Sequence, residues 1–129
     1  MQFDPVPLAE FAEQDFGDWT GRRHDELAAS NDETYARFWN DPAGSVPPGG
    51  ESFVGQIARV RQGIGRIEAG EAILVVHSGT IRAALALARG IAPQAAIRFV
   101  IDPLSLTRID RLTNSWRVVA VNQSFRGQL

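Results

Sequence analysis

Residues 72–77, Ala-Ile-Leu-Val-Val-His, form an unbroken apolar and mostly β-branched run that ends in a histidine. A run of this kind suits a strand covered on both faces, as in a parallel α/β sheet. Ser78-Gly79 reads as a tight turn, and Thr80 to Arg89 as a strong helix that stops at Gly90. Strand followed by helix makes α/β the expected class. The run is far too short to cross a bilayer, so no membrane span is expected.

The remainder of the chain arranges itself around that unit. Ser30-Asn31-Asp32-Glu33 fits a capping box with Ser30 as the N-cap. The helix that follows carries Tyr35, Phe38 and Trp39 on one face and stops at Asn40-Asp41-Pro42. Residues 41–50 read as a flexible loop, because Pro47-Pro48-Gly49-Gly50 cannot continue a helix or a central strand. Phe53, Ile57, Val60, Ile64 and Ile67 then fall at helical spacing, with Ser52 as the cap and Gly70 as the stop. Gly63 and Gly65 weaken that helix by about 1 kcal/mol each relative to alanine, which close packing against a neighbour would justify. A short helix near Pro93 to Phe99 precedes two strands, Ser105 to Arg111 and Trp116 to Val121, that turn at Thr113-Asn114-Ser115.

Size and composition limit the function. A chain of 129 residues is most simply one domain, residues 1–129. Its 44% hydrophobic and 22% charged residues suit a globular protein rather than a disordered one. A net charge of −2 predicts no strong attraction to nucleic acid or to anionic membranes. There is no cysteine, which excludes disulfides, thiolate metal sites and a cysteine nucleophile, and suits a cytoplasmic protein. No metal-ligand spacing is present, so neither a metal nor any other cofactor is expected.

Three groups could carry chemistry. His77 would lie at the carboxyl edge of a sheet, where open α/β folds bind ligands. The helix after it, starting at about Gly79 or Thr80, would present unpaired N–H groups and a partial positive charge, and these favour a phosphate. The same histidine could equally just end a strand and be satisfied by local backbone. Glu13 sits in Glu-Gln-Asp-Phe-Gly-Asp-Trp, where an apolar neighbour can raise a carboxylate toward general-acid duty. Read without context, that stretch is more often an acidic surface loop anchored by Phe16 and Trp19. Arg22-Arg23-His24 could bind phosphate, but three basic residues on the outside of a short helix are usually only solvated.

Three motifs in order resemble the histidine phosphatase (phosphoglycerate mutase-like) superfamily, and within it the α-ribazole phosphatase type of cobalamin biosynthesis. Phe11 to Gly21 is similar to that group's L-x-E-x-D-F-G-x-W-E-G, Pro48 to Ser52 to its P-G-G-E-S, and Val75 to Arg82 to its V-x-H-G-G-x-I-R. The closing hairpin, with Ser105-Leu106-Thr107 and Val121-Asn122, also fits. The resemblance implies an α/β three-layer sandwich, incomplete at the N-terminus, with helices packed on a small mixed sheet. It implies a phosphomonoesterase that passes the phosphoryl group to a histidine and then to water, without a metal, on a small phosphorylated metabolite. His77 would be the second active-site histidine and Glu13 the proton donor. The backbone of Ser78 and Gly79 would form part of the phosphate cradle.

The departures carry equal weight. The family's Arg-His-Gly, whose histidine is the nucleophile, has no match before Phe11, and Arg23-His24 lies on the wrong side of the Glu13 motif. Thr20, Ser78 and Phe125 replace a Glu, a Gly and a His. The chain by itself is therefore expected to be weak or inactive. A homodimer, or a complementing N-terminal segment, would fill the gap beside the His77 strand, which would otherwise present unpaired backbone. The competing expectation is a degenerate phosphatase domain that binds a phosphorylated ligand or a partner without turnover.

Overall fold

Helix caps and apolar stripes set the elements of the computed structural model, which describes residues 2–68 and 70–125. Five α-helices precede one hairpin: α1 (His24–Ala29), α2 (Glu33–Phe38), α3 (Phe53–Gly65), α4 (Ser78–Arg89), α5 (Pro93–Ala96), then β1 (Ser105–Arg111) and β2 (Trp116–Ser124). Single 3-10 turns at Ala9–Phe11 and Gly17–Trp19 punctuate the N-terminal segment.

Helix α3 begins as its sequence predicts, with Ser52 Oγ accepting from Gly55 N at 3.0 Å. It ends at Gly65, earlier than the expected stop at Gly70. The cap before α2 is Asp32 rather than Ser30. Asp32 Oδ1 accepts from Thr34 N at 2.9 Å, while Ser30 closes α1 and donates to Leu27 O at 2.7 Å. Asn31, at a left-handed φ of 54°, turns the chain between the two helices. Helix α4 starts at Ser78 and ends on Gly90 in the left-handed conformation, with φ 59°.

Two apolar clusters hold these helices. Phe11, Phe53, Val60, Ala83 and Ala86 pack where α3, α4 and the first 3-10 turn meet. Leu85, on α4, is also fully buried. Gly63 lets this contact close, because a Cβ there would lie 2.9 Å from Phe11 Cε1. This is the close packing that the sequence invoked to offset the cost of a glycine in the helix. Nothing lies near Gly65, and its presence has no packing account. Trp19, Leu27, Tyr35 and Phe38 form the second cluster, with Phe16 packed against it.

The loop of residues 41–50 is not the loose segment its prolines and glycines suggest. Ala43 and Pro47 are fully buried, and the main chain is pinned to the Glu13 motif by Asp18 N to Pro48 O and Glu51 N to Asp15 O, each 2.8 Å. Gly17 and Gly50 permit that approach. Cβ atoms at these positions would lie 2.2 Å from Pro48 O and 2.3 Å from Asp15 O. Packed main chain, rather than composition, decides the order of this loop.

The sheet also differs from expectation. The described residues contain one antiparallel pair, β1 with β2, rather than a mixed sheet. Arg111 ties the hairpin to the end of α3, donating to Ile64 O at 3.2 Å and Ile67 O at 2.8 Å. Ile64 O lies in the last turn of α3, where it also accepts from Ile67 N at 3.1 Å, and Ile67 O lies just past the helix end. Residues 71–77 carry no strand pairing among the described residues, and they are not covered on both faces. Ile73 is 84% exposed and Val75 97%, while Val76 alone leans on the core. A strand needs a neighbour to take its N–H and C=O groups, and no described strand lies there.

Candidate active site

The segment that carries Glu13 is held against α3 and α4 by side chains reaching across the sequence. Arg59 on α3 pairs with Glu51 and donates to the carbonyls of Ala9, Glu10 and Ala12, each at 3.0 Å. Thr80 on α4 is buried and donates to Phe11 O at 2.8 Å. Gln56, fully buried, donates from Nε2 to Glu13 Oε1 at 3.1 Å. Its Oε1 is buried with no hydrogen-bond partner among the described residues.

So fixed, the Glu13 carboxylate reaches the start of α4. Its Oε2 accepts from Gly79 N at 3.3 Å, while Oε1 takes Gln14 N at 2.9 Å as well as Gln56. The first N–H groups of a helix have no intrahelical acceptor, and the helix dipole favours a negative charge at that end. Glycine at position 79 permits this approach, since a Cβ would stand 2.0 Å from Glu13 Oε1 and displace the carboxylate. A cleft of about 330 Å³ opens at this junction, bordered by Glu13, Ser78, Gly79, Arg82, Phe16 and Trp39. Arg82 donates from Nε to Phe99 O at 2.8 Å and from Nη1 to Ser78 Oγ at 3.3 Å, which fixes a guanidinium at the rim.

Glu13, Ser78 and Gly79 therefore come together in one cleft. His77 occupies the N-cap position of α4, extended at φ −86° and ψ 166°, with its side chain exposed and outside the cleft lining. His24 lies away from it, bonded through Nδ1 to the Tyr35 hydroxyl, and Arg23 is paired with Asp25 on the surface. The sequence reading missed Gln56, Arg59 and Arg82. A polar residue at 56 interrupts the apolar stripe of Phe53, Ile57 and Val60, and that interruption was the available signal.

Helix terminus, docked carboxylate and rim arginine sit on a chain that belongs to the histidine phosphatase superfamily (branch 1), matched over residues 2–124. Among its relatives, the Escherichia coli adenosylcobalamin/alpha-ribazole phosphatase is 30% identical over 122 residues, covering 92% of this chain and 55% of that protein. The solved alpha-ribazole phosphatase from Shigella flexneri superposes with a TM-score of 0.79 at 26% identity, over 90% of this chain and 59% of that one. A mycobacterial glucosyl-3-phosphoglycerate phosphatase, solved with inorganic phosphate, gives 0.73 at 26% identity, over 89% and 63%. The chain has the phosphoglycerate mutase-like α/β fold and spans less than two thirds of the length of these relatives. No described helix is long and apolar enough to cross a membrane.

Proposed function

We propose that this chain supplies the phosphate cradle and the proton donor of a phosphomonoesterase acting on a small phosphorylated metabolite, with α-ribazole phosphate as the first substrate to test. The observation that carries the reading is the Glu13 carboxylate seated on Gly79 N–H at the start of α4. A phosphate oxygen entering the cleft competes for that N–H and gains the helix-end charge and the nearby Arg82. Glu13, displaced toward the ester oxygen, is then placed to protonate the leaving alcohol. In this reading His77 supports the phosphoryl group from the edge of the cleft.

The phosphoryl acceptor in this reading is a histidine, as the superfamily resemblance implies. Neither histidine of the sequence lines the cleft, so the acceptor is proposed to come from a complementing N-terminal segment or a second copy of the chain. Either would also cover the unpaired residues 72–77. Similarity to the alpha-ribazole phosphatases supports a role in cobalamin biosynthesis, and a cytoplasmic setting belongs to the same reading.

The test is hydrolysis of p-nitrophenyl phosphate by the chain alone and with the N-terminal part of a relative added. Turnover should be weak alone, rise on addition, and vanish with His77→Ala or Glu13→Gln. Undiminished turnover in His77→Ala would sink the assignment. The absence of a histidine from the cleft favours one second reading, a phosphate-binding domain without turnover. A phosphate-dependent rise in Tm with no hydrolysis under any of these conditions would select it.

A further inference from the structure

Gln56 is fully buried on α3, yet only half of its amide is satisfied. Nε2 donates to Glu13 Oε1 at 3.1 Å and reaches Ala12 O at 3.4 Å, while Oε1 has no partner among the described residues. A buried carbonyl left in that state is costly, and an aliphatic side chain would fill the space without the cost. Neither acceptor depends on Gln56. Ala12 O also takes Arg59 Nη1 at 3.0 Å and Thr80 Oγ1 at 3.3 Å, and Glu13 Oε1 also takes Gln14 N at 2.9 Å. The donor is therefore redundant for holding the segment in place.

Its use lies in the two oxygens of Glu13. A carboxylate oxygen has two lone pairs, and Gln14 N and Gln56 Nε2 occupy both on Oε1. Oε2 has one donor among the described residues, Gly79 N at 3.3 Å. A proton arriving at the carboxylate thus goes to Oε2, which faces the start of α4. Once protonated, that oxygen is a much poorer acceptor, and its hold on the Gly79 N–H weakens. The other charged groups around Glu13 are Arg59 and Glu51, paired on the α3 side, Arg82 and His77 from α4 and its cap, and Asp15, which accepts from Gly17 N. His77 is the one imidazole among them, so it is the group to separate from Glu13.

We propose that Gln56 is a positioning residue for Glu13: by filling Oε1 it steers the acidic proton to Oε2, so that anion binding at Gly79 takes up a proton and arms the acid. The proton then passes from Oε2 to the ester oxygen as the bond from that oxygen to phosphorus breaks. The phosphoryl group goes to the proposed histidine acceptor, and Glu13 is left as a carboxylate. The steering rests on geometry alone, whereas the arming rests on the phosphatase reading.

The test follows the Gly79 and Gln14 amides of the full chain by NMR as acid is added, and then sulfate binding by calorimetry in buffers of different ionisation enthalpy. Sulfate copies the charge and shape of phosphate but stays a dianion where carboxylates titrate, so any proton taken up goes to the protein. In the native sequence, protonation of Glu13 should move the Gly79 amide and leave Gln14 nearly still. Gln56→Met keeps the side-chain volume and removes the donor, so the Gly79 shift should fall by at least about half while Gln14 begins to move. Sulfate should bind with uptake of up to about one proton, tightening by up to about tenfold per pH unit on acidification. Glu13→Gln should abolish that uptake. Movement of Gln14 in place of Gly79, or unchanged behaviour in a folded Gln56→Met variant, would overturn the steering. Sulfate bound without proton uptake, or uptake that survives Glu13→Gln and so belongs to His77, would overturn the arming. No sulfate or phosphate binding, with Gly79 still following Glu13, would leave the steering standing and remove the phosphatase reading instead.

Discussion

The carboxylate of Glu13 and the backbone N–H of Gly79, 66 positions apart in the chain, meet at 3.3 Å. The contact joins a segment with almost no regular structure to the first turn of α4, and the candidate site lies where they touch. Its tightness makes it testable.

Gly79→Ala inserts a Cβ 2.0 Å from Glu13 Oε1, so the carboxylate or the helix start must move. The clashing atom is the far end of a flexible side chain, so the carboxylate swings off Gly79 N at a cost below the ~1–3 kcal/mol of core overpacking. Urea unfolding should show at most that small loss, while phosphate binding should change as the Glu13 contact is broken. Gly65→Ala, where nothing lies within 4 Å, serves as the control and should gain up to about 1 kcal/mol.

Arg59 holds the Glu13 segment through three carbonyls and Glu51. Arg59→Leu strips those acceptors of their donor and should cost about 2 kcal/mol or more. Arg59→Lys should restore less than half, because a single ammonium cannot serve the same spread of oxygens. Denaturant midpoints of the three proteins decide the point.

Thr80→Val keeps the shape of a side chain that is 3% exposed and removes its donor to Phe11 O. The unsatisfied carbonyl should cost about 1–2 kcal/mol. The Glu13 segment should also exchange its amides faster, which hydrogen exchange on the folded protein would reveal.

Two carboxylates tie stability to pH at the acid end. Hydrogen bonds from Arg108 and then Arg117 hold the Asp110 carboxyl below its usual range. A hydrogen bond to its own backbone, then Arg66, does the same for Glu10. A lowered carboxyl contributes stability that is complete above its ordinary pKa, about 3.9 for Asp. That stability is lost as pH falls through the folded value. Asp110→Asn should therefore flatten part of the decline in stability below about pH 4, leaving the part due to Glu10. Thermal melts across pH 2 to 7 would show equal slopes if the pairing did nothing.

The helices and the hairpin were readable because their information is local. Apolar spacing marked α3 and α4, and alternating strands around Thr113 to Ser115 marked β1 and β2. Ser30 misled as a cap because Asp32 offers an equally good oxygen two residues later, and only the turn at Asn31 decides between them. The run at residues 72–77 stated what coverage it needs without revealing whether these residues supply it. Glu13 and Gly79 could be named from motifs. Arg82 closed the third motif without its place at the rim being marked, and Gln56 and Arg59 stood in no motif, because a polar side chain on a helix carries no mark of a distant partner. Gln56 alone left a trace, by standing in an apolar stripe.

Gly17 and Gly50 let two stretches of main chain lie against each other beneath Glu13, with Pro48 O and Asp15 O where side chains would begin. The loop beneath the acid is thus seated through atoms that every amino acid shares, while Arg59, Gln56 and Thr80 hold the Glu13 segment through their side chains. Within the loop itself, Gly17 and Gly50 are the positions that must keep no side chain at all. A search for tolerant and intolerant sites should find the sharpest boundary in the motif at its glycines, not at its charges.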